Sequence, residues 1–215
     1  DKKKLIRIFN KLIKNDSVNN GIIYLQITRG VQSREHIYKS KLKPTVIIYC
    51  KKKSFNLPNK NFKGVKVITY KDLRWSRRDI KTTNLLPNIL AENAAHKKNA
   101  YTAILIKDNK ITEGAHANIW IIKDNVIITH PSNSDILKGV TRTSLKLIIR
   151  KYKLKLRENS FTKKQLMNAD EVFLTSSGSF ITPIIKVDSK FINGGKIGVI
   201  TKNLANLYYQ KFSNE

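Results

Sequence analysis

The sequence predicts an α+β protein with a short α/β piece followed by a longer piece rich in antiparallel hairpins. Strand patterns joined by Asp-Asn dipeptides recur in the longer piece, and strands and helices do not alternate regularly along the chain. The chain has 215 residues, of which 40% are hydrophobic, and this suffices for a packed core. The sequence contains no apolar run approaching the roughly 20 residues that a membrane span needs, so no membrane partner is expected.

The first 57 residues are predicted to form the small α/β domain. Apolar residues over 4–14 fall on one helical face and predict an amphipathic helix. Runs of β-branched and aromatic residues over 21–28 and 45–50 predict two strands. A polar stretch with Pro58 follows. Residues 58–63 are therefore predicted to link this domain to a larger one over residues 64–215.

The larger domain is predicted from strand-like runs and from the i, i+3, i+4 spacing of helices. Its predicted strands are 64–70, 101–107, 110–112, 118–123, 126–129, 154–156, 171–175 and 181–187. Its predicted helices are 83–98, 141–152, 162–168 and 197–212. Asp108-Asn109 and Asp124-Asn125 lie between consecutive strands, and each pair predicts a hairpin turn.

The net charge of +27 raises the question of nucleic-acid binding. The lysines are scattered, however, and the motifs of the common nucleic-acid-binding modules are missing from the sequence. A general bias towards lysine, isoleucine and asparagine explains the charge better, so no specific nucleic-acid partner is expected. Cys50 is the single cysteine, which excludes an internal disulfide and predicts a reducing, cytoplasmic location.

Lys81 lies where a polar run meets an apolar, helix-like run. A lysine forms a Schiff base with an aldehyde cofactor or a carbonyl substrate when burial or neighbouring cations favour its neutral amine. Arg77 and Arg78 are close enough in sequence to supply such a positive field. In a chain with 42 lysines and arginines, this spacing alone does not separate Lys81 from an ordinary surface lysine.

Glu113 stands between a threonine and a glycine at the end of a predicted strand, where it either holds a pyridinium nitrogen protonated or belongs to an ordinary ion pair. Residues 139–141 precede a helix and residues 175–179 follow a strand. Their backbone N–H groups and hydroxyls suit a phosphate, although an N-cap and a polar turn explain them equally. Arg34 and His36 alternate in an extended loop, where they either clamp a carboxylate or are exposed polar residues. The histidines do not have metal-ligand spacing, so no metal site is predicted.

Together, these candidate residues belong to a series of motifs that follow one another in order from about residue 18 to the last helix. They are Arg78-Asp79-Ile80-Lys81-Thr82-x-Asn84-Leu85-Leu86, Tyr101-x-Ala103-Ile104-Leu105, Thr112-Glu113-Gly114-x-x-x-Asn118, His130-Pro131, Ile136-Leu137-x-Gly139-Val140-Thr141-Arg142, Asp170-Glu171-Val172-Phe173-Leu174-Thr175-Ser176 and Thr182-Pro183. In this order they resemble the fold type IV enzymes that use pyridoxal 5'-phosphate (PLP), most of all the D-amino-acid transaminases.

The resemblance implies that Lys81 carries PLP as a Schiff base and moves the proton at the substrate Cα. It implies that Glu113 pairs with the pyridine nitrogen and that Leu137 packs against the ring. The positions that it implies for the phosphate are Val140, Thr141, Ser176 and Ser177.

The same resemblance implies that Arg34 and His36 hold the substrate α-carboxylate, a pair that favours the D-amino-acid branch. The implied substrates are D-amino acids and 2-oxo acids, with D-alanine and 2-oxoglutarate giving pyruvate and D-glutamate. The implied assembly is a homodimer.

Several features depart from the family pattern and leave alternatives open. The family's first segment has no counterpart before Asp1, so a truncated small domain is expected. Thr102, Gly178 and Phe180 replace a glutamate, a threonine and a glutamate of the family. The alternatives are an aminodeoxychorismate lyase or a branched-chain aminotransferase on the same fold, or an inactive truncated remnant of a split or decaying gene.

Overall fold

The computed structural model describes residues 1–55, 57–58 and 62–213. The chain divides into two compact units, Asp1–Phe55 and Asn56–Glu215. The predicted linker over residues 58–63 falls inside the second unit in this division, and residues 59–61 of it lie outside the described residues.

The first unit is a helix followed by a two-stranded antiparallel sheet. Helix α1 spans Lys2–Asn15, and strands β1 and β2 span Gly21–Thr28 and Thr45–Lys52. The Asp1 side chain caps α1 by accepting a hydrogen bond from the Lys3 N–H at 2.9 Å. Tyr24 of β1 pairs with Tyr49 of β2, and their rings stack with centroids 4.9 Å apart. All three elements were predicted from the sequence, with boundaries shifted slightly.

The second unit contains one large mixed sheet with helices packed on it. Its described helices are α2 Leu86–Lys97, α3 Val140–Lys151, α4 Lys163–Met167 and α5 Val199–Ser213. Its described strands are β3 Val65–Lys71, β4 Ala103–Lys107, β5 Lys110–Gly114, β6 Asn118–Lys123, β7 Val126–Thr129, β8 Leu156–Glu158, β9 Glu171–Ser176, β10 Phe180–Val187 and β11 Lys190–Phe191.

The nine strands lie in the order β5-β4-β3-β10-β9-β6-β7-β8, and β11 pairs with β10. The β3–β4, β3–β10 and β7–β8 pairs are parallel, and the other pairs are antiparallel. The predicted α+β class is therefore confirmed. None of the helices within the described ranges is long and apolar enough to cross a membrane.

The hairpin turns form where the Asp-Asn pairs predict them. Asp108 and Asn109 have φ angles of 49° and 60°, and Asp124 and Asn125 have the same two values. Positive φ at both central residues gives the turn type whose twist matches the flanking strands. Strand β11 was not predicted, and α2 begins later than predicted, with Pro87 tolerated in its first turn.

Strands β6 and β9 carry the core because both of their faces are covered. Trp120 stacks on Phe173 at 5.5 Å, and this face packs against Leu145 of α3 and Leu204 of α5. The residues that alternate with them, such as Ile119, belong to a second apolar cluster on the opposite face. This packing fixes the end of β9 and the start of α3 against the sheet.

Candidate active site

Glu113 is a buried carboxylate near the end of β5, with 4% of the residue exposed. Its Oε1 accepts a short hydrogen bond from the Arg74 guanidinium. Its Oε2 accepts from the Asn118 amide at 3.0 Å and from the Leu137 N–H at 3.1 Å. Burial raises the pKa of Glu113 to about 7, although the Arg74 charge acts in the opposite direction. The side chain therefore titrates near neutral pH and responds to any further positive charge brought to it.

Arg74 reaches Glu113 from the segment that follows β3, where Asp72 fixes it. Arg74 donates through Nε and Nη2 to the two carboxylate oxygens of Asp72, at 2.9 and 2.8 Å. Thr112 adds a hydroxyl hydrogen bond to Asp72 at 2.7 Å, and the Arg78 Nε lies 3.2 Å from the same carboxylate. Burial raises the pKa of Asp72, but the Arg74 hydrogen bonds and charge outweigh it and hold that pKa below its ordinary value. Asp72 is thus an anion that aims Arg74 at Glu113.

Asn118, at the start of β6, joins Glu113 to the loop before α3. Its Nδ2 donates to Glu113 and also to the Leu137 carbonyl oxygen at 2.8 Å. Gly139 lies two residues after Leu137, and a Cβ there would be 2.3 Å from the Asn118 Oδ1. A side chain at residue 139 would therefore push Asn118 away from the carboxylate. The glycine of the Gly139-Val140-Thr141 motif is required by this close approach.

Helix α3 begins at Val140, with Gly139 as an N-cap whose extended backbone makes no side-chain cap hydrogen bond. The first N–H groups of a helix lack intrahelical acceptors and suit an anion. Val140 is exposed at this end, whereas Thr141 is buried. The turn after β9 carries several hydroxyl groups. Strand β9 pairs with β6, and Thr175 lies opposite Asn118 in the sheet. Ser177 is exposed in this turn, and the Ser176 and Ser179 hydroxyls are 2.7 Å apart.

Lys81 is exposed in the segment between β3 and α2. The backbone N–H of Arg78 donates to the Ser134 carbonyl at 3.0 Å, and its Nη1 donates to Asp135 at 2.8 Å. These bonds hold the segment beside the loop that contains Leu137, and Lys81 follows within about 11 Å of chain. The positive field expected from Arg77 and Arg78 is compensated, because Arg77 pairs with Asp79 at 2.8 Å and Arg78 pairs with Asp72 and Asp135.

Arg34 and His36 lie in the first unit, in the segment between β1 and β2, and both are exposed. Gln32 organises this segment by donating to the Ile37 carbonyl at 3.0 Å and accepting from the Lys39 N–H at 3.1 Å. The pair stays a prediction, as does its contact with a substrate.

Sequence reasoning missed Arg74, which binds the Glu113 carboxylate, and Asp72, which fixes Arg74. Both fall in an ordinary polar stretch, and the signal that could have found them is the scarcity of acidic residues, 15 in the chain against 42 basic ones. The unusual Thr102 is fully buried and donates its hydroxyl to Glu92 of α2. His116 binds the same carboxylate through Nδ1 at 3.0 Å. The Glu92 carboxylate of α2 therefore lies beside residue 102, where the family pattern has a glutamate and this chain has a threonine.

The chain matches the family described as amino-transferase class IV over residues 1–187. A D-alanine aminotransferase of Staphylococcus aureus strain MSSA476 is 41% identical over 203 residues, which are 94% of this chain and 71% of the relative. The branched-chain amino acid aminotransferase of Escherichia coli has a TM-score of 0.84 at 23% identity, over 98% of this chain and 71% of that structure. The branched-chain aminotransferase of the archaeon Thermoproteus uzoniensis, solved with norvaline, has a TM-score of 0.76 at 24% identity, over 97% and 70%.

The fold is therefore that of the fold type IV PLP-dependent enzymes, and the chain spans about seven-tenths of the curated relative. The aminotransferases of this class transfer amino groups between amino acids and 2-oxo acids. The chain belongs to the class IV aminotransferase family. The family resemblance seen in the sequence is confirmed.

The residues around Glu113 fit PLP. A pyridinium nitrogen needs a buried anion, and Glu113 is a buried carboxyl poised between its charged and neutral forms. A phosphate needs N–H and hydroxyl donors, and these are present at the start of α3 and after β9. Because Gly139 lies so close to Asn118, the backbone at the start of α3 stays close to the Glu113 carboxylate.

Proposed function

We propose that this chain catalyses transamination of D-amino acids with PLP, taking D-alanine and 2-oxoglutarate to pyruvate and D-glutamate. The observation that carries the proposal is the buried Glu113 carboxyl held by Arg74, Asn118 and the Leu137 N–H. The D-alanine aminotransferase of S. aureus, 41% identical over 94% of the chain, supports the choice of substrate.

Glu113 and Leu137 serve the ring of PLP in this proposal. Bound PLP supplies the electron sink for the pair of electrons left when the substrate Cα–H bond breaks. Glu113, as an anion, holds a proton on the pyridine nitrogen, and Arg74 and Asn118 fix the orientation of the carboxylate. Leu137 packs against the ring, and its backbone N–H also orients Glu113.

The phosphate is held by Val140, Thr141, Ser176 and Ser177. The first two lie in the first turn of α3, where N–H groups point out of the helix and the helix dipole favours an anion. The two serines follow the buried part of β9 and add hydroxyl donors.

Lys81 would hold PLP covalently through its Nζ. Once the substrate amine had taken the place of Nζ on the cofactor, the freed amine would be the catalytic base that takes the proton from the substrate Cα and later returns a proton. Its exposed position agrees with an amine that reaches a ligand. Arg34 and His36 bind the substrate α-carboxylate through charge-assisted hydrogen bonds, and this pair favours D-amino acids as substrates.

The proposal includes a homodimer and a cytoplasmic location. Light scattering of the purified protein measures the oligomeric state. It keeps the predicted division into a small domain over residues 1–57, a linker over 58–63 and a PLP-binding domain over 64–215. Limited proteolysis tests this division, with cleavage expected first within the linker.

The function is tested by incubating the purified protein with PLP, D-alanine and 2-oxoglutarate, and by coupling pyruvate to lactate dehydrogenase. We expect turnover with D-alanine and little with L-leucine or aminodeoxychorismate. Lys81→Ala is expected to abolish turnover and the visible absorption of bound PLP. Lys107→Ala, which changes an exposed lysine at the end of β4, is the matched control and retains both.

Turnover of L-leucine or aminodeoxychorismate alone would overturn the choice of D-amino acids. Failure of the protein to give the visible absorption with PLP would favour an inactive remnant. Absorption without turnover would show that the cofactor is held and that substrate binding or proton transfer fails.

A further inference from the structure

Arg78 is a buried arginine three residues before Lys81, and its side chain is 2% exposed. It contacts two carboxylates from different parts of the chain. Its Nη1 donates to the Asp135 carboxylate at 2.8 Å, and its Nε lies 3.2 Å from Asp72 Oδ2 without forming a hydrogen bond. Its backbone N–H donates to the Ser134 carbonyl oxygen at 3.0 Å. Arg78 therefore ties the segment before Lys81 to the loop before α3 through its backbone and through its side chain.

The Asp72 contact joins Arg78 to the cation that binds Glu113. Asp72 accepts hydrogen bonds from Nε and Nη2 of Arg74 at 2.9 and 2.8 Å, and Arg74 donates in turn to Glu113. Burial raises the pKa of Asp72, but the Arg74 hydrogen bonds and charge outweigh it, so Asp72 stays an anion. Two guanidinium groups share this one buried anion. Moving either of them would leave a buried charge without part of its compensation.

The Asp135 contact joins Arg78 to the other segment that orients Glu113. Leu137 follows Asp135 by two residues, and its N–H donates to Glu113 Oε2 at 3.1 Å. One side chain thus fastens the segment that carries Lys81 to the loop that orients the central carboxylate. The two ends of the proposed cofactor site, an amine and a buried anion, are held together by Arg78.

The chain between Arg78 and Lys81 is short and turned. The Ile80 N–H donates to the Arg77 carbonyl oxygen at 3.2 Å, which closes a turn around Arg78 and Asp79. The Lys81 backbone therefore cannot move far while Arg78 stays in place. A lysine that is held at its amine loses chain and rotamer freedom, and less is lost when the backbone beside it is already fixed.

We propose that Arg78 is a positioning residue for Lys81. It fixes the turn before Lys81 against Asp72 and Asp135, and thereby limits the positions open to the Lys81 amine relative to Glu113. This rests on the proposed function, which gives Lys81 the covalent bond to PLP. Arg78 acts through the backbone of its own segment and does not touch the cofactor.

The test compares the dissociation constants of three ligands by calorimetric titration. PLP and pyridoxal, which lacks the phosphate, both carry an aldehyde that condenses with a lysine amine with loss of water. Pyridoxamine 5'-phosphate carries an amine in its place and cannot condense. For Arg78→Met we expect PLP and pyridoxal to bind about three- to tenfold more weakly and pyridoxamine 5'-phosphate to bind as before. The matched control is Arg77→Met, which changes an exposed arginine paired with Asp79 and should leave all three constants unchanged.

Two combinations isolate the contact and the residue on which it acts. Asp135→Ala leaves Arg78 with Asp72, and it should weaken the two aldehydes selectively even if Arg78→Met does not fold in urea-unfolding controls. Adding Asp135→Ala to Arg78→Met should cause no further loss, because both changes remove one contact. In a Lys81→Ala background, Arg78→Met should leave PLP binding unchanged, since no amine remains to be positioned.

Equal weakening of all three ligands by Arg78→Met would show that Arg78 only supports the fold, and would overturn the proposal. Unchanged PLP binding in Arg78→Met, or a loss that persists in the Lys81→Ala background, would overturn it as well. If Lys81→Ala alone binds PLP as the wild-type protein does, the covalent role of Lys81 in the proposed function is wrong, and the role of Arg78 is overturned with it.

Discussion

Arg74 lies between two carboxylates. Asp72 fixes its orientation, and Glu113 accepts a hydrogen bond from it. The Asp72 side chain is fully buried, and those of Arg74 and Glu113 are 10% and 6% exposed. The guanidinium donates to both through its fork, which a lysine could not do from one point. The charge of the central carboxylate therefore depends on a residue of a different segment.

Arg74→Met is expected to weaken PLP binding and to destabilise the protein by roughly 3 kcal/mol, because it leaves two buried carboxyl groups without their shared cation. Glu113 would then take up a proton at higher pH than it does now and pair less well with a pyridinium. Urea unfolding and PLP titration measure the two effects. The control is Arg77→Met, an exposed arginine that pairs with Asp79 and should change neither. Equal effects of the two substitutions would contradict the role of Arg74.

The pH dependence of stability follows from Glu113. Its pKa is about 7 in the folded protein against an ordinary value of 4.5, so between these values the folded state binds more protons than the unfolded state. Stability contributed by the neutral carboxyl is full below pH 4.5 and is lost as the pH rises to about 7. Relative to Glu113→Gln, the free energy of unfolding of the PLP-free wild type should fall by on the order of 3 kcal/mol across this window.

The matched comparison is Asp188→Asn. Burial raises the pKa of Asp188, but hydrogen bonds from Thr69 and Lys163 outweigh it and lower that pKa below the ordinary 3.8. Its stabilisation is present above pH 3.8 and is lost only as the pH falls below it, so this difference should be flat from pH 4.5 to 7. A flat profile for Glu113→Gln as well would contradict the raised pKa.

The local elements were predictable because local rules determine them. The hairpin between β6 and β7 has its predicted boundaries, since β-branched residues flank Asp124-Asn125 and both turn residues adopt positive φ. The order of the strands was not predictable in the same way. Strand β3 pairs in parallel with β10, more than a hundred residues later in the sequence, and this pairing depends on packing of the whole sheet.

The site was predictable where motifs carry it and not where partners come from distant segments. Lys81 and Glu113 were identified by the ordered motifs, and their roles stay predictions. Arg74 meets Glu113, and Asp72 meets Thr112, only because the sheet places the end of β3 near β5, with β4 between them. Spacing along the chain gives neither contact.

Gly139→Ala should damage the site by a purely steric effect, because φ at Gly139 is −61° and suits any residue. The new Cβ would lie 2.3 Å from the Asn118 Oδ1. We expect a loss of about 1–3 kcal/mol in unfolding free energy and weaker PLP binding. Gly194→Ala, where a Cβ meets no atom within 4 Å but φ is 60°, should lose about 1 kcal/mol and bind PLP normally.

A double variant tests whether the clash with Asn118 is the cause. In an Asn118→Ala background the Gly139→Ala substitution should cost little more, since the colliding amide is gone. Full additivity of the two losses would show that Gly139 acts through something other than Asn118.

Arg142→Lys should destabilise the protein although it keeps the charge. The Arg142 side chain is fully buried, and its fork donates to the His130 carbonyl at 2.6 Å, to Ser132 at 2.8 Å and to Glu158 at 2.9 Å. A lysine cannot make these divergent bonds from one nitrogen, and its ammonium is harder to dehydrate. We expect a loss of about 3 kcal/mol in urea unfolding.

The control for this substitution lies on the same helix. Arg150→Lys changes an exposed arginine in the last turn of α3 and should leave the free energy of unfolding unchanged. Because Arg142 follows Thr141 directly, its loss should also loosen the start of α3 and weaken the binding of PLP more than that of pyridoxal. Destabilisation with the PLP preference intact would show that Arg142 supports the β7–α3 loop but not the proposed phosphate site.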